Sequence, residues 1–355
     1  MKQSQASYKR IVVKVGSSLF CSAKKGLDTS FILGIGSEIS ALAKEGREIV
    51  LVSSGAIAFG MMLLGLKERP KELAILQAAA AVGQNELMDA YSESFKKNAL
   101  TCAQLLLTWD DFSGRLRYLN AKNTLLTLLK LGAIPVVNEN DTVSTDEIKF
   151  GDNDRLSALV ASLIGADLLI ILSDVDGLLD RDNKIIKIVT EITGTIKNLA
   201  CPSAKKTCVG GMITKIDAAK IAVDSGIPCV IANGNKKNII LSVIKDPANS
   251  GTLFVPRESF LAARERWIAF GSKTKGAIVV DDGAKQALLD KKSLLAVGVN
   301  KIEGVFENGE IVAVKDKAGH EFARGKVNLS AKIIEKVKGE RFAKEVIHRD
   351  NLVLL

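Results

Sequence analysis

Short apolar runs alternate with longer stretches of helical periodicity along the first 255 residues. The runs are rich in β-branched residues and predict strands at 11–15, 48–53, 103–108, 134–138, 168–173 and 228–232. The stretches between them predict helices at 30–44, 71–96, 118–131, 155–164 and 214–224. Several strands are apolar at every position, which is typical of parallel strands covered on both faces. The pattern therefore predicts an α/β domain with a mostly parallel central sheet sandwiched by helices.

The pattern changes after about residue 255. The segment 256–275 is rich in arginine and lysine and predicts a linker that carries a short helix. Beyond it, short strands at 277–280, 304–306, 311–314 and 322–323 are separated by Gly, Asn and Asp turns, with small helices at 283–289 and 330–336. We therefore expect an α/β domain at 8–255 and a small β-rich domain at 276–350.

Composition narrows the class of protein. Apolar residues make up 47% of the chain and charged residues 25%, which excludes a disordered chain. The net charge of +9 suits anionic small molecules as well as nucleic acid. Only two histidines occur, His320 and His348, so the first three hundred residues hold no Ser-His-acid triad and no histidine-rich metal site. No apolar run approaches the ~20 residues of a membrane span, and we expect a cytoplasmic protein without a membrane partner.

Two of the predicted strands end in small polar residues. Lys14 lies inside the first strand and is followed by Gly16-Ser17-Ser18. A lysine within a buried strand is costly unless it is paired or faces a ligand, although its stem could also lie along the sheet with the head in water. Ser53-Ser54-Gly55-Ala56 follows the second strand, where small residues let backbone amides approach an anion. Taken alone, an ordinary helix cap is the better interpretation of this second motif.

Acidic and amide side chains cluster between the fourth and fifth predicted strands. Asn138-Glu139-Asn140-Asp141 ends an apolar strand, and Gly151-Asp152-Asn153-Asp154 precedes a helix. Turn formation and helix capping explain part of this pattern. Two such clusters within about fifteen residues exceed what capping requires, and they suit an ammonium group, an orienting role for lysines, or indirect contact with Mg²⁺. Ser173-Asp174 is either a plain strand exit or part of a nucleotide-binding loop.

A glycine pair opens the last helix of the α/β domain. Gly210-Gly211 precedes Met212-Ile213-Thr214-Lys215. Backbone amides at such a helix start can bind an anion, and Lys215 opposes the helix dipole unless an anion is present. The Walker A spacing is absent. Together these strand-end motifs predict one crevice with two lysines, Lys14 and Lys215, and several phosphate-sized amide pockets.

These motifs resemble those of the glutamate 5-kinases, a family within the amino acid kinase superfamily. The resemblance covers nearly the whole chain and is most specific from Asn138 through Leu156. The C-terminal segment resembles the PUA domain that many bacterial members carry. The motifs that support the PUA resemblance are Val280-Asp281-Asp282-Gly283-Ala284, Ser293-Leu294-Leu295-Ala296-Val297-Gly298-Val299 and His348-Arg349-Asp350.

The resemblance implies ATP-dependent phosphorylation of the side-chain carboxylate of L-glutamate, with Mg²⁺, as the first step of proline biosynthesis. It also implies proline as a feedback inhibitor and a homo-oligomer. The implied catalytic residues are Lys14 and Lys215, which would contact the transferring phosphoryl group, and Asp154, which would orient the two lysines. No protein side chain is assigned as a metal ligand. The implied glutamate-binding residues are Ser54, Asp141, Asn153 and Asn138. The implied ATP-binding residues are Lys14, Ser173, Asp174, Val209, Gly210, Gly211, Met212, Ile213, Thr214 and Lys215.

One position departs from the family pattern. The family usually has a Gly-Thr pair before Gly210, where this chain has Cys208-Val209. A side-chain hydroxyl is lost there, so any phosphate contact at that position must come from backbone amides.

Two other functions are weighed against this interpretation. The first is a related kinase acting on acetylglutamate, aspartate, carbamate or a nucleoside monophosphate; the specific motifs and the PUA-like segment argue against it. The second is an RNA-binding protein, since PUA domains often bind RNA. Residues 276–355 carry 14 basic and 12 acidic side chains. Because nucleic-acid binding calls for a basic stripe, this balance argues against it.

Overall fold

The computed structural model describes residues 8–22, 26–143, 153–200, 211–256, 261–271 and 274–355. The chain divides into two compact units, one formed by residues 1–108 and 119–260 and the other by residues 109–118 and 261–355. The short segment Trp109–Tyr118 thus groups with the C-terminal unit. The domain boundaries expected at 255 and 276 stay predictions.

The strands and helices are numbered here in chain order. The strands are β1 (Arg10–Val15), β2 (Cys21–Ser22), β3 (Gly26–Leu27), β4 (Glu48–Ser53), β5 (Cys102–Leu107), β6 (Ile134–Glu139), β7 (Leu168–Ser173), β8 (Ile188–Val189), β9 (Cys229–Asn233), β10 (Thr252–Phe254), β11 (Gly276–Val280), β12 (Val299–Gly304), β13 (Ile311–Lys315), β14 (Glu321–Lys326) and β15 (Leu352–Leu354). The α-helices are α1 (Thr29–Lys44), α2 (Ala56–Leu63), α3 (Leu73–Lys96), α4 (Trp109–Ser113), α5 (Arg115–Lys130), α6 (Asn153–Ile164), α7 (Gly194–Leu199), α8 (Met212–Asp224), α9 (Ile239–Lys245), α10 (Pro247–Ser250), α11 (Ala263–Arg266), α12 (Asp282–Leu289) and α13 (Ala331–Val337).

The first unit is built on an eight-stranded sheet in the order β5-β6-β4-β1-β7-β9-β10-β8. All neighbouring pairs are parallel except β9 and β10. β1 and β7 at its centre are almost wholly buried, as their apolar sequences require. The predicted mostly parallel sheet flanked by helices is confirmed, and the carboxyl ends of β1, β4, β6 and β7 meet at one edge.

All six strands predicted in the first unit are present. Those at 48–53 and 168–173 have the predicted bounds, and the others differ by one residue at one or both ends. The five predicted helices are also present, with ends shifted by up to three residues. Helix α2 was not predicted, because its sequence is apolar at nearly every position and carries no helical period.

Helices α2 and α3 pack at a separation that only glycine allows. A Cβ atom at Gly60 would lie 1.7 Å from the Ala79 carbonyl oxygen, and one at Gly83 would lie 1.8 Å from the Ala56 carbonyl oxygen. Both helices therefore meet backbone to backbone at these positions. The next residue of α3, Gln84, is buried.

The second unit contains a five-stranded sheet in the order β12-β11-β13-β14-β15 around its own apolar core. The strand predicted at 304–306 is wrong: β12 spans Val299–Gly304 and Phe306 is a buried core residue beyond it. Most side chains of β12 are partly or fully exposed, so its sequence carries little apolar signal. The short helix predicted within 256–275 is α11, which continues as a π-helical turn over Trp267–Gly271.

Candidate active site

A cleft of about 500 Å³ opens at the carboxyl edge of the large sheet. Its walls come from the residues that follow β1, β4, β6 and β7 and from the N-terminal turns of α2, α6 and α8. Backbone hydrogen bonds tie the strand ends together: Gly16 N–H donates to the Leu172 carbonyl at 3.2 Å, and Ser54 N–H donates to the Val15 carbonyl at 3.2 Å. These hydrogen bonds therefore fix the positions of the strand ends from which the loops around the cleft begin.

At one end of the cleft, two lysines converge on one carboxylate. The Lys14 ammonium nitrogen lies 2.5 Å from Asp154 Oδ1, and the Lys215 ammonium nitrogen lies 3.2 Å from Asp154 Oδ2. The Thr214 hydroxyl donates to the same Oδ2 at 2.8 Å. Lys14 comes from the carboxyl end of β1, Asp154 from the first turn of α6, and Lys215 from the first turn of α8. Three elements distant in sequence thus place their charges at one point.

The three charged side chains of this cluster are buried, so each charge must be paired to avoid a large desolvation cost. Lys14, Asp154 and Lys215 are all less than a tenth exposed. Burial acts to raise the pKa of Asp154, but the ammonium groups of Lys14 and Lys215 and the hydrogen bonds from Lys14 and Thr214 outweigh it, so the pKa lies below its usual value. The carboxylate is ionised at neutral pH, and the cluster carries one net positive charge facing the cleft.

The start of α8 places backbone donors beside the lysines. Gly211 precedes the helix with φ of 85°, a conformation that favours glycine, and no side chain of the described residues caps the helix there. The first amides of a helix have no partner within it and carry the positive end of the helix dipole. Gly211 and Thr214 both line the cleft. This end of the cleft is therefore suited to a polyanion such as a triphosphate.

The other end of the cleft is lined by amide, hydroxyl and carboxyl groups. Asn153 Nδ2 lies 3.0 Å from Ser54 Oγ and 3.0 Å from Asn138 Oδ1. Ser54, Asn153 and Asp141 line the cleft, whereas Asn138 lies buried behind them. Because Asn153 and Asp154 are consecutive residues of α6, this helix start joins the amide end to the lysine end.

Among the described residues, no pair of buried ammonium groups like that at Asp154 surrounds Asp141. Burial and, to a smaller extent, the Glu139 carboxylate raise its pKa to about 7, with Arg69 acting in the opposite direction. A cation supplied by a ligand would lower that pKa and favour the ionised form. An ammonium group is such a cation, so this end of the cleft suits the head group of an amino acid.

Comparison with known proteins settles the family. Residues 9–233 match the model of the Amino acid kinase family, and residues 276–349 match the PUA domain. The chain belongs to the amino acid kinase family. Its similar relatives include the glutamate 5-kinases of Caldanaerobacter subterraneus subsp. tengcongensis, at 47% identity over 98% of both chains, of Methylococcus capsulatus, at 46% over 98% of this chain and 97% of the relative, and of Geobacter sp. strain M21, at 44% over the whole of both. The resemblance seen in the motifs is confirmed, and membership of a kinase family implies the use of ATP.

Most site residues expected of this amino acid kinase line the cleft. They are Lys14, Ser54, Asp141, Asn153, Asp154, Ser173, Asp174, Gly211, Thr214 and Lys215. Met212 and Ile213 lie in the first turn of α8 but do not line the cleft, and Asn138 is buried behind it. Val209 and Gly210 lie outside the described residues, as do Gly151, Asp152 and Cys208. The roles of all these residues stay predictions.

Sequence reasoning missed one residue that lines the kinase cleft and one that lies behind the lining. Arg69, between α2 and α3, lines the cleft, and Gln84 of α3 is hydrogen-bonded to Asn138. Neither lies in a strand-end motif, so the pattern that found the other residues carried no signal for them.

None of the helices in the described part of the chain is long and apolar enough to cross a bilayer.

Proposed function

We propose that this amino acid kinase transfers the γ-phosphoryl group of ATP to the side-chain carboxylate of L-glutamate, giving L-glutamyl 5-phosphate as the first step of proline biosynthesis. The observation that carries the proposal is the pair of buried lysines on Asp154 at one end of a cleft whose other end holds Asp141 and Asn153. The similarity to glutamate 5-kinases over nearly the whole chain supports the choice of substrate.

The proposed reaction needs no general base. A glutamate side chain has a reference pKa of about 4.3 and is an anion at neutral pH, so its oxygen can attack the γ-phosphorus directly. The barrier is the repulsion between this carboxylate and the triphosphate. Lys14 and Lys215, both buried and both held by Asp154, are preorganised cations that would stabilise the charge on the transferring group.

Mg²⁺ would enter this site together with the nucleotide. The described residues contain no group of three or more side chains suited to hold a metal ion. Mg²⁺ in kinases is bound largely by phosphate oxygens and water, with one or two carboxylates. We therefore propose that ATP brings Mg²⁺ into the cleft, where the ion supplies further neutralisation of phosphate charge. Ser173, Asp174 and the start of α8, which contribute to the cleft, would line the nucleotide.

The amide end of the cleft would hold the amino acid. Asp141 would pair with the α-ammonium group, and Ser54 and Asn153 would bind glutamate oxygens and orient the substrate. We propose that L-proline acts as a feedback inhibitor at this end, since it carries the same α-carboxylate and a cationic nitrogen. We also propose a homo-oligomer, as the family resemblance implies, and a regulatory or assembly role for the PUA domain.

The test is glutamate-dependent release of ADP with hydroxylamine present to trap the acyl phosphate. We expect ADP and glutamyl hydroxamate to form in equal amounts with L-glutamate. We expect little product with N-acetylglutamate, aspartate, carbamate or a nucleoside monophosphate. Efficient turnover of one of these alternatives, with no hydroxamate from glutamate, would refute the proposal. Steeply salt-dependent RNA affinity in place of turnover would favour the RNA-binding alternative.

A further inference from the structure

A chain of polar side chains runs from the cleft into the protein behind Ser54. Asn153 Nδ2 donates to Ser54 Oγ at 3.0 Å and to Asn138 Oδ1 at 3.0 Å. Asn138 Nδ2 in turn donates to Gln84 Oε1 at 2.8 Å. Gln84, Asn138 and Asn153 are all more than nine-tenths buried. The far end of this chain, Gln84, lies on α3 and does not line the cleft.

The direction of every hydrogen bond in this chain is fixed by one backbone group. The Glu139 N–H donates to Asn138 Oδ1 at 2.9 Å, and a backbone N–H can only donate. The atom of Asn138 that faces it must therefore be the oxygen, which leaves the amide nitrogen to face Gln84. Gln84 must present its oxygen to that nitrogen, and Asn153 must present its nitrogen to Asn138.

This series of hydrogen bonds therefore determines whether the Ser54 hydroxyl donates to a substrate or accepts from it. A hydroxyl group has one hydrogen to donate and two lone pairs that accept. The hydroxyl oxygen of Ser54 already accepts from Asn153, and the described residues provide no acceptor for its hydrogen. Ser54 lines the cleft. Its hydrogen is thus available to a carboxylate oxygen of a bound amino acid.

Gln84 ends this series of hydrogen bonds by accepting from Asn138. Its Nε2 is buried and has no hydrogen-bond partner among the described residues. An unsatisfied buried donor destabilises a protein, and leucine at this position would avoid that cost. The atom of Gln84 that the series requires is its oxygen, which accepts from Asn138 Nδ2. Without this oxygen, the buried Asn138 nitrogen would have no acceptor. Rotating the Asn138 amide by half a turn would then bring its nitrogen against two other donors, the Glu139 N–H and Asn153 Nδ2.

We infer that Gln84 is a positioning residue for the amino acid substrate, acting through Asn138 and Asn153 to hold the Ser54 hydroxyl as a hydrogen-bond donor to a substrate carboxylate. The inference rests on the proposed function, since it takes glutamate as the ligand of this end of the cleft. It predicts that a residue which contacts no substrate controls the affinity for the amino acid and leaves the affinity for ATP unchanged.

The experiment is a double-mutant cycle between Gln84 and Ser54, read out as separate KM values for glutamate and ATP. We expect Gln84→Leu to raise the glutamate KM about tenfold, since slight misplacement of a positioning group costs this much or more. The ATP KM stays within about twofold. In a Ser54→Ala background, the same substitution changes the glutamate KM by less than about twofold, because the two residues act as one unit.

Two further variants separate this role from a structural one. Gln84→Glu keeps an oxygen acceptor for Asn138 whether or not the new side chain is ionised, and we expect its glutamate KM to stay within about threefold of the wild-type value. Ser94→Ala is the control, because Ser94 is also a buried polar residue of α3, where it donates to the Ile32 carbonyl at 3.3 Å. Its thermal stability falls and both KM values stay unchanged.

Three results would overturn the inference. They are an unchanged glutamate KM in folded Gln84→Leu, an equal rise in both KM values, and an effect of Gln84→Leu that is undiminished in the Ser54→Ala background. The wild-type protein distinguishes these results from failure of the proposed function. Absence of glutamate-dependent turnover in the wild type would refute both, whereas normal wild-type turnover with any of the three results refutes the inference alone.

Discussion

Two buried carboxyl groups of the same cleft, Asp154 and Asp141, differ in the direction of their pKa shifts. They are 5% and 9% exposed, so burial alone does not separate them. The pKa of Asp154 is lowered because two ammonium groups and two hydrogen bonds outweigh the effect of burial. The pKa of Asp141 is raised to about 7, because burial and Glu139 outweigh Arg69.

The difference separates a carboxylate that the protein has already paired from one that a ligand must pair. Asp154 is satisfied by Lys14 and Lys215 and serves to hold those cations in place. Asp141 has a pKa of about 7, and under the proposed function it pairs with the ammonium group of the amino acid. One end of the cleft is thus preorganised for a polyanion, and the proposal is that the substrate completes the other.

Removing the Asp154 charge should have the largest effect. We expect Asp154→Asn to destabilise the nucleotide-free protein by about 3–5 kcal/mol, because two buried ammonium groups lose their partner. ATP should then raise the melting temperature of the variant more than that of the wild type, since phosphates replace the missing charge. Thermal unfolding with and without ATP measures both effects. Equal stability of variant and wild type would contradict the proposed pairing.

The contribution of Asp154 to the free energy of unfolding should decrease as the pH falls. The folded pKa of Asp154 lies below its unfolded value, so the stability that the carboxylate contributes is present above the unfolded value of 3.8 and is lost as the pH falls through the folded pKa. Asp154→Asn should therefore reduce the pH dependence of stability in the acid range. The other carboxyl groups of the wild type provide the background for this comparison.

Removing one of the two lysines should affect turnover next most strongly. We expect Lys14→Ala and Lys215→Ala to lower kcat by about 100-fold or more, the scale of losing one preorganised electrostatic donor. Lys220→Ala is the matched control, because Lys220 lies on the same helix as Lys215 but pairs with Asp224 and does not line the cleft. Near-normal kcat in a folded Lys14 or Lys215 variant would remove that residue from the catalytic set.

A smaller and more selective effect is expected at the amide end. Asp141→Ala should raise the glutamate KM by about tenfold or more and change the ATP KM little, since a charged hydrogen-bond partner of the ammonium group is lost. Thr142→Ala is the control, because Thr142 is the exposed neighbour of Asp141 and does not line the cleft. Equal rises in both KM values would show that Asp141 is not specific to the amino acid.

Much of the fold and of this cleft could be predicted because the signals are local. Apolar strands are visible in the sequence, and the polar motifs that follow β1, β4, β6 and β7 meet because parallel strands end at the same edge of the sheet. Lys14 is conspicuous as a charge within an apolar strand. Its pairing with Asp154, implied by the family resemblance, is what the structure contains.

What could not be predicted depends on packing between distant elements. Gln84 is one of several polar residues of α3, and nothing in its neighbourhood marks it as buried. Its burial and its hydrogen bond to Asn138 of β6 depend on how α3 packs in the folded unit, next to α2, a helix whose sequence has no helical period. The opposite shifts of Asp154 and Asp141 are likewise invisible in the sequence, because both residues lie in similar acidic and amide clusters.

The pH dependence of kcat/KM for glutamate, measured at saturating ATP and Mg²⁺ between pH 5.5 and 8, tests most directly whether Asp141 awaits the substrate ammonium group. Glutamate itself does not titrate in this range, because its side-chain carboxyl has a pKa of about 4.3 and the ammonium group of a free amino acid loses its proton only at alkaline pH. We expect kcat/KM to rise about tenfold per pH unit below the Asp141 pKa of about 7 and to level off above it. A value that stays constant between pH 5.5 and 7 would contradict the assignment of Asp141 as the ammonium partner.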